Sequence, residues 1–333
     1  MFGCSRRATV RVMGTVRVLH GPDVRAVLDM AGCIDALEPA FAAYAGGAAE
    51  LPSVIHLDVP EASGEIHVKA GHLHGAPTYA VKVASGFYGE DPPAIDGLVL
   101  VFDARTGAPA AILLDGGYLT DLRTGAAGGV AARHLAPTRV ATVAVIGTGI
   151  QARMQIDALA VVRPGIGEVR VWGRRSERAS AAADDIRAAL GAADVASVPT
   201  VEEAVTGADV VVTCTAAREP LVRAEWIGPG VHVTAVGSDG EGKQELDPAL
   251  LRRADLLVVD ARAQAERLGE LQHARDLAGR TIELGELCAG TVQGRTDDRQ
   301  VTVCDLTGVG VQDVAAANAV LARAGDRGDT IEL

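Results

Sequence analysis

Aromatic residues are scarce. Four Phe, four Tyr and two Trp make up 3% of the 333 residues. A core without them is filled by Ala, Val and Leu, small side chains that let helices lie close on a sheet. Cysteines are few as well. Cys4, Cys33, Cys214, Cys288 and Cys304 are odd in number, scattered and without a CxxC pair. That excludes a disulfide framework, argues against a zinc site, and fits reduced thiols in a cytoplasmic protein. No apolar run reaches the length of a membrane span. Arg6, Arg7 and Arg11 are followed by no apolar stretch, so no secretory signal is expected. Met13 as the natural start, with residues 1–12 a loose extension, is the alternative. Positive charge is in deficit, with 31 Lys and Arg against 43 Asp and Glu and a formal net charge of -12. A phosphate backbone would be repelled overall, although a local basic patch could hold one anionic cofactor.

What is present is ordinary for a folded globular protein, 48% hydrophobic and 22% charged residues, in a chain long enough for two domains. Ile34, Leu37, Phe41 and Tyr44 recur at spacings of three and four and predict a helix over 31–48. Short strands are expected at 54–57, 65–69, 78–83, 98–103 and 110–115, punctuated by Gly71, Gly75-Ala76-Pro77, Pro92-Pro93 and Gly107. They read as a mainly antiparallel sheet. An Ala/Gly-rich helix follows over 121–135. The pattern then changes to strands at 140–146, 168–172, 210–213, 232–236 and 256–259, with helices at 151–162 and 177–190 between the first of them. Strands that alternate with helices predict a doubly wound parallel sheet. The last helix, 315–324, is expected to return onto the first domain.

Val143-Ala144-Val145-Ile146 runs into Gly147-Thr148-Gly149-Ile150-Gln151-Ala152. This is Gly-x-Gly-x-x-Ala in the strand–turn–helix setting of a dinucleotide site. Gly147 allows the tight turn, Gly149 lets the backbone approach a pyrophosphate, and Ala152 permits close helix–strand contact. The strand 168–172 ends in Gly173-Arg174-Arg175-Ser176, without the acid that usually grips the ribose of NAD. Either arginine with Ser176 could hold a 2′-phosphate, which favours NADP(H) over NAD(H). Alternatively, Ser176 caps the next helix and both arginines are solvated.

Lys82 stands in an apolar strand, where a lysine is costly unless paired. Arg123 stands near a helix start, a poor place for a cation unless an anion joins it. A bound carboxylate would resolve both. Otherwise Lys82 points to solvent, and Arg123 pairs with Asp121 or Asp115.

The Lys82 strand, Leu119-Thr120-Asp121-Leu122-Arg123-Thr124, the Gly147–Ala152 turn, Ala235-Val236-Gly237-Ser238-Asp239 with Gly242-Lys243-Gln244-Glu245-Leu246, and Asp305-Leu306-Thr307-Gly308-Val309-Gly310-Val311-Gln312-Asp313 run in one order along the chain. In these stretches the sequence resembles the ornithine cyclodeaminase/mu-crystallin family. The resemblance implies an α/β protein: a Rossmann doubly wound parallel sheet over 126–305, and an α+β substrate and dimerisation domain from 1–125 with 306–333. It implies a homodimer with a small amino or imino acid as substrate, and neither nucleic acid nor membrane as partner. Lys82 and Arg123 are then the pair that grips the substrate carboxylate. Asp239 is the acid/base at the substrate nitrogen. Without the resemblance, Asp239 reads as a turn residue among Gly237, Gly240 and Gly242. The expected cofactor contacts are Thr124, Gly147, Thr148, Gly149, Gln151, Ala152, Gly173, Arg174, Arg175, Ser176, Thr215, Gly237 and Ser238.

One feature departs from the cyclodeaminase pattern. No arginine lies between Arg25 and Arg105, where cyclodeaminases carry a third carboxylate ligand. Lys69 could substitute, and His72 could supply another cation at the pocket. The absence favours an imine reductase or amino-acid dehydrogenase. The alternatives are an ornithine or lysine cyclodeaminase, a reductase of a dicarboxylic imine, and a non-catalytic cofactor-binding protein.

Overall fold

The computed structural model describes residues 14–89 and 94–333. The N-terminal extension with its three arginines, Cys4, and the Pro92-Pro93 punctuation lie outside them. Two eight-stranded sheets organise the chain.

In the first sheet, Gly64–Leu73, Thr78–Phe87 and Ala94–Asp103 pair antiparallel in unbroken register. Pro109–Leu114 continues the meander, and Ile55–Val59 adds to the far side of Gly64–Leu73. The edge beyond Pro109–Leu114 was not expected. Thr15–His20 pairs parallel with it and antiparallel with Asp329–Glu332 at the other end of the chain. Side chains alternate across a strand, so the register sorts the sheet into two faces. Lys69 sits opposite Lys82 and Val99, and Gly71 opposite Ala80 and Val101. That face is buried. It is covered by the helices Met30–Ala45, Tyr118–Leu135 and Gly310–Arg323. The other face carries Ile55, Leu57, Ile66, Val68, Val81, Val83, Leu98 and Leu100, none of them fully buried.

The second sheet is parallel throughout, in the order Asp194–Ser197, Glu168–Trp172, Thr142–Ile146, Val210–Thr213, His232–Ala235, Thr302–Asp305, Leu256–Val259, Ile282–Glu283. The order reverses beside Thr142–Ile146. That is the switch point at which a doubly wound sheet opens a crevice at its carboxyl edge. The strands 143–146, 210–213 and 232–235 are buried on both faces, which explains the unbroken apolar run of the first, while His232 and Thr234 of the last are buried polar residues that hydrogen-bond each other.

The two sheets meet through the helix Tyr118–Leu135. It packs on the fingerprint helix Ile150–Val162 through glycines: a Cβ at Gly125 would lie 2.7 Å from the Met154 carbonyl oxygen. Gln155 donates to the Thr124 carbonyl at 3.0 Å across the same contact. The final helix runs from Gly310 to Arg323 and returns onto the first sheet and the helix Met30–Ala45.

Candidate active site

The substrate side of the crevice is built on the buried face of the first sheet. Lys69 and Lys82 are direct cross-strand partners, and like charges so placed repel unless something neutralises them. Arg123 reaches the same point from the second turn of its helix. All three are almost wholly buried. The counter-charge is Asp313, from the first turn of the final helix. Its Oδ1 lies 3.0 Å from Arg123 Nε and 3.6 Å from Lys82 Nζ. Neither Asp121 nor Asp115 is the partner of Arg123, and Lys82 does not point to solvent. Lys69 Nζ donates to the carbonyls of Thr307 at 3.1 Å and Gly308 at 2.7 Å.

Three cations thus gather around Asp313, with the buried Asp260 also near Lys69, and the hydrogen bonding is unfinished. Arg123 Nε lies off the hydrogen-bond axis of Asp313, so both it and Asp313 Oδ2 are buried without a hydrogen-bond partner. Burial, and then the neighbouring Arg123, pushes both lysine ammonium groups below their usual range, Lys82 furthest. Burial alone would raise Asp313, but Arg123, Lys82 and Lys69 pull its carboxyl lower than usual. Gly308 makes room for the cluster. Its φ is +78°, and a Cβ there would stand 2.8 Å from an Arg123 terminal nitrogen and 3.1 Å from Lys69 Nζ.

Glu65, His67 and Lys69 alternate along one strand and share its face, which leads from the cations into a cavity of about 250 Å3. Asp239, Lys243, Glu65, His67, His56 and Arg218 line that cavity. Asp239 is half-buried and receives Lys243 Nζ at 2.7 Å, while Lys243 also lies 3.7 Å from Glu65. Burial opposes the charge on Asp239, but Lys243 and Lys69 more than offset it and hold the carboxyl below its usual range. Asp239 thus stands in the loop after His232–Ala235 as a carboxylate held by Lys243 at the cavity wall.

His72 does not belong to this site. It stands three residues beyond Lys69, so the alternation of the strand turns it to the opposite face, across from Tyr79.

The cofactor side follows the fingerprint. Gly147 has φ +138°, and a Cβ there would lie 2.5 Å from Cys214 Sγ. Thr148 fills the space over Gly173, where a Cβ would meet its Cγ2 at 2.4 Å. Ala152 is fully buried against the sheet. Gly149 caps the helix Ile150–Val162 without a side chain, and nothing lies within 4 Å of where its Cβ would be. An uncapped helix N-terminus beside open space fits a pyrophosphate. Arg174 is exposed at the strand end. Arg175, not Ser176, is the N-cap of the following helix, and Ser176 is its first residue.

Four expected cofactor side chains are instead turned into the protein. The Ser238 hydroxyl donates to the Lys243 carbonyl at 2.9 Å. The Thr124 hydroxyl donates to the Thr120 carbonyl at 2.7 Å, and Gln151 donates to the Asp121 carbonyl at 3.2 Å. The Thr215 hydroxyl donates to Glu245 at 2.8 Å. Each of these donors is engaged within the protein, which leaves lone pairs on the oxygens free to accept.

The sequence reading did not single out Asp313, Gly308, Lys243 or Glu65. Asp313 carried one signal, an acid in the first turn of a helix, but its partners come from other elements.

The model of the ornithine cyclodeaminase/mu-crystallin family matches residues 16–328. The chain belongs to that family. An uncharacterised cyclodeaminase of Sinorhizobium fredii is 41% identical over 328 residues, covering 95% of this chain and 98% of its own. An archaeal alanine dehydrogenase dimer with bound NAD superposes with a TM-score of 0.87 at 34% identity, covering 96% and 99% of the two chains. The Thermococcus litoralis Δ1-pyrroline-2-carboxylate reductase, solved with NADH and L-proline, gives 0.87 at 30% identity over 93% and 97%. The protein is accordingly a nicotinamide-dependent oxidoreductase with a small-molecule substrate. Among the described residues no helix is long and apolar enough to cross a membrane.

Proposed function

We propose that the protein is an imine reductase that delivers hydride to the α-carbon of an imino acid and draws on NADPH. The observation that carries this reading is a cluster of buried cations whose hydrogen bonding is unfinished. Lys69, Lys82 and Arg123 gather around Asp313, whose Oδ2 has no hydrogen-bond partner, with the buried Asp260 near Lys69, beside a cavity that also holds Asp239. A substrate carboxylate would balance the cluster, with the Arg123 guanidinium offering a planar fork and the lysines point charges. The α-carbon and its nitrogen would then project toward Asp239. Lys69 occupies the role left open by the missing arginine.

The nicotinamide, held through the Gly147–Ala152 turn, supplies the hydride when bound. The protein's own groups do the rest. The cations fix the carboxylate end and so orient the α-carbon. Asp239, kept ionised by Lys243, accepts a hydrogen bond from the protonated imine nitrogen and stabilises the positive charge that draws hydride to the α-carbon. The product nitrogen keeps that proton as an amine. The absence of an acid after strand Glu168–Trp172 and the exposed Arg174 support NADPH. The free thiols of Cys33, Cys214, Cys288 and Cys304 fit a reducing, cytoplasmic setting.

A homodimer is part of this reading. The apolar outer face of the first sheet, with Ile55 60% and Leu57 53% exposed, would be covered by the same face of a second copy. We place the substrate and dimer unit at 1–125 with 306–333, and the cofactor unit at 126–305.

Purified protein, NADPH or NADH, and a panel of cyclic and acyclic imino acids provide the test, read at the absorbance of the reduced nicotinamide. Net oxidation by an imine, faster with NADPH, is the expected result. Cyclic product from ornithine or lysine with no net change in cofactor would replace the reductase with a cyclodeaminase.

A further inference from the structure

The strand ends that frame Asp239 converge on one enclosed side chain. Glu245 is fully buried, and its carboxylate accepts four hydrogen bonds. Oε1 takes the Thr215 amide at 2.6 Å and the Thr215 hydroxyl at 2.8 Å. Oε2 takes the Thr213 hydroxyl and the Gly237 amide, each at 2.8 Å. Thr213 closes the strand Val210–Thr213, and Gly237 follows the neighbouring strand His232–Ala235. A carboxylate has about four lone-pair sites, so these donors saturate it. A carboxamide in its place would turn an NH2 group toward two other donors.

The loop is built down onto this acid. A Cβ at Gly237 would lie 2.6 Å from Glu245 Oε2 and 2.1 Å from the Thr215 carbonyl oxygen. Gly237 is two residues before Asp239, and the intervening Ser238 is tied to the Lys243 carbonyl. Glu245 is in turn held from behind. Glu270 accepts the amides of Glu245 at 2.7 Å and Leu246 at 3.1 Å.

We propose that Glu245 is a positioning residue for hydride transfer: by gathering both strand ends it sets where the Asp239 carboxylate stands against the substrate nitrogen. The proposal rests on the reading of Asp239 given above. It requires Glu245 to be ionised, because protonation replaces an acceptor site with a donor. The ionisable groups packed around it are Glu270, Asp305 and the Cys214 thiol. Burial pushes Glu245 up to about 7 against the pull of its four donors, and it raises Glu270 and Asp305 as well. The loop is then fully set only above neutrality.

The test uses Glu245→Gln and Glu245→Asp with Asp239→Asn beside them, each assayed from about pH 6 to about pH 9 with the best imine substrate. Glu245→Gln is expected to lose roughly 100-fold in kcat, the scale of a small misplacement of a catalytic group. Its KM for the imine should change less than about threefold, because the cations are untouched. The wild-type loss of kcat as pH falls through about 7 should vanish in that variant, and Glu245→Asp should restore part of kcat. Unchanged kcat and pH profile in Glu245→Gln, or a Glu245→Asp no better than it, would overturn the proposal. If Glu245→Gln does not fold, hydrogen exchange in the wild type decides. After correction for intrinsic rates, protection of the Thr215 and Gly237 amides should fall as pH drops through about 7, and constant protection would contradict the proposal. Full turnover by Asp239→Asn would sink the Asp239 reading, while the exchange data would still report on the loop.

Discussion

Lys69 shows how one residue carries both a cost and a function. Its ammonium is buried opposite a second lysine and is only partly compensated by two carbonyls and the nearby Asp239, Asp313 and Asp260. Because its folded pKa is lowered, the native state sheds this proton before the unfolded chain does. The penalty is fully present below the folded pKa and is relieved as pH rises toward the unfolded value of 10.5. Wild type should therefore gain stability relative to Lys69→Met as pH rises, measured as the difference between urea melts at each pH. The same variant should raise KM for the imino acid roughly tenfold, since one charge-assisted contact to the carboxylate is lost. A constant stability difference with unchanged KM would make Lys69 merely structural. Lys82 was legible in the sequence because a lysine in an apolar strand demands a partner, whereas Lys69 entered only as a substitute for the missing arginine. His72 was misjudged because proximity in sequence was weighed above the alternation of the strand. The internal bonds of the Ser238 and Thr215 hydroxyls were not legible, because their acceptors, the Lys243 carbonyl and Glu245, come from a later segment.

The elements were legible where they were long and periodic, or where a short run was continuously apolar. The helix Tyr118–Leu135, the fingerprint strand and helix, and the strands Glu168–Trp172, Val210–Thr213 and Leu256–Val259 fall where the pattern puts them. Pieces of two to five residues, such as Asp194–Ser197, Gln244–Leu246 and Ile282–Glu283, are too short to show a period. The strand Asp329–Glu332 takes its place from pairing with Thr15–His20, a contact that no local signal encodes. The approach to the final helix is where these elements produce the site. Gly308 donates its amide to Asp260 at 2.6 Å and lends its carbonyl to Lys69, in a conformation that disfavours any side chain. Gly308→Ala should cost about 1–3 kcal/mol of stability, from backbone strain. It should also raise KM for the imino acid, because the added methyl displaces Arg123 and Lys69. A urea melt and a substrate titration check the two effects, and wild-type behaviour in both would remove Gly308 from the site.

For the whole molecule, charge and apolar surface point in different directions. A chain of net charge -12 concentrates three buried cations at one end of its crevice, so an anionic substrate meets a local field opposite to the overall one. The outer face of the first sheet, by contrast, is apolar from Ile55 and Leu57 to Leu98 and Leu100. His56 and Asp58 turn to the cavity, whereas Leu57 turns away from it. Leu57→Arg should convert the dimer to a monomer in sedimentation velocity without opening the cavity. A wild type that sediments as a monomer at micromolar concentration would refute the dimer. Neither assembly nor substrate was fixed by any single motif. The family resemblance supplied the dimer, and the register of the sheet supplied the surface that could form it.

The central claim is that hydride moves between the cofactor and the α-carbon of an imino acid held by Lys69, Lys82 and Arg123. It is tested most directly with reduced cofactor deuterated at nicotinamide C4, a reactive imino acid and mass spectrometry of the amino acid formed. The account predicts one deuterium on the α-carbon for each cofactor oxidised, lost together with turnover in Arg123→Met. Cofactor oxidation that leaves no deuterium on the α-carbon would contradict it.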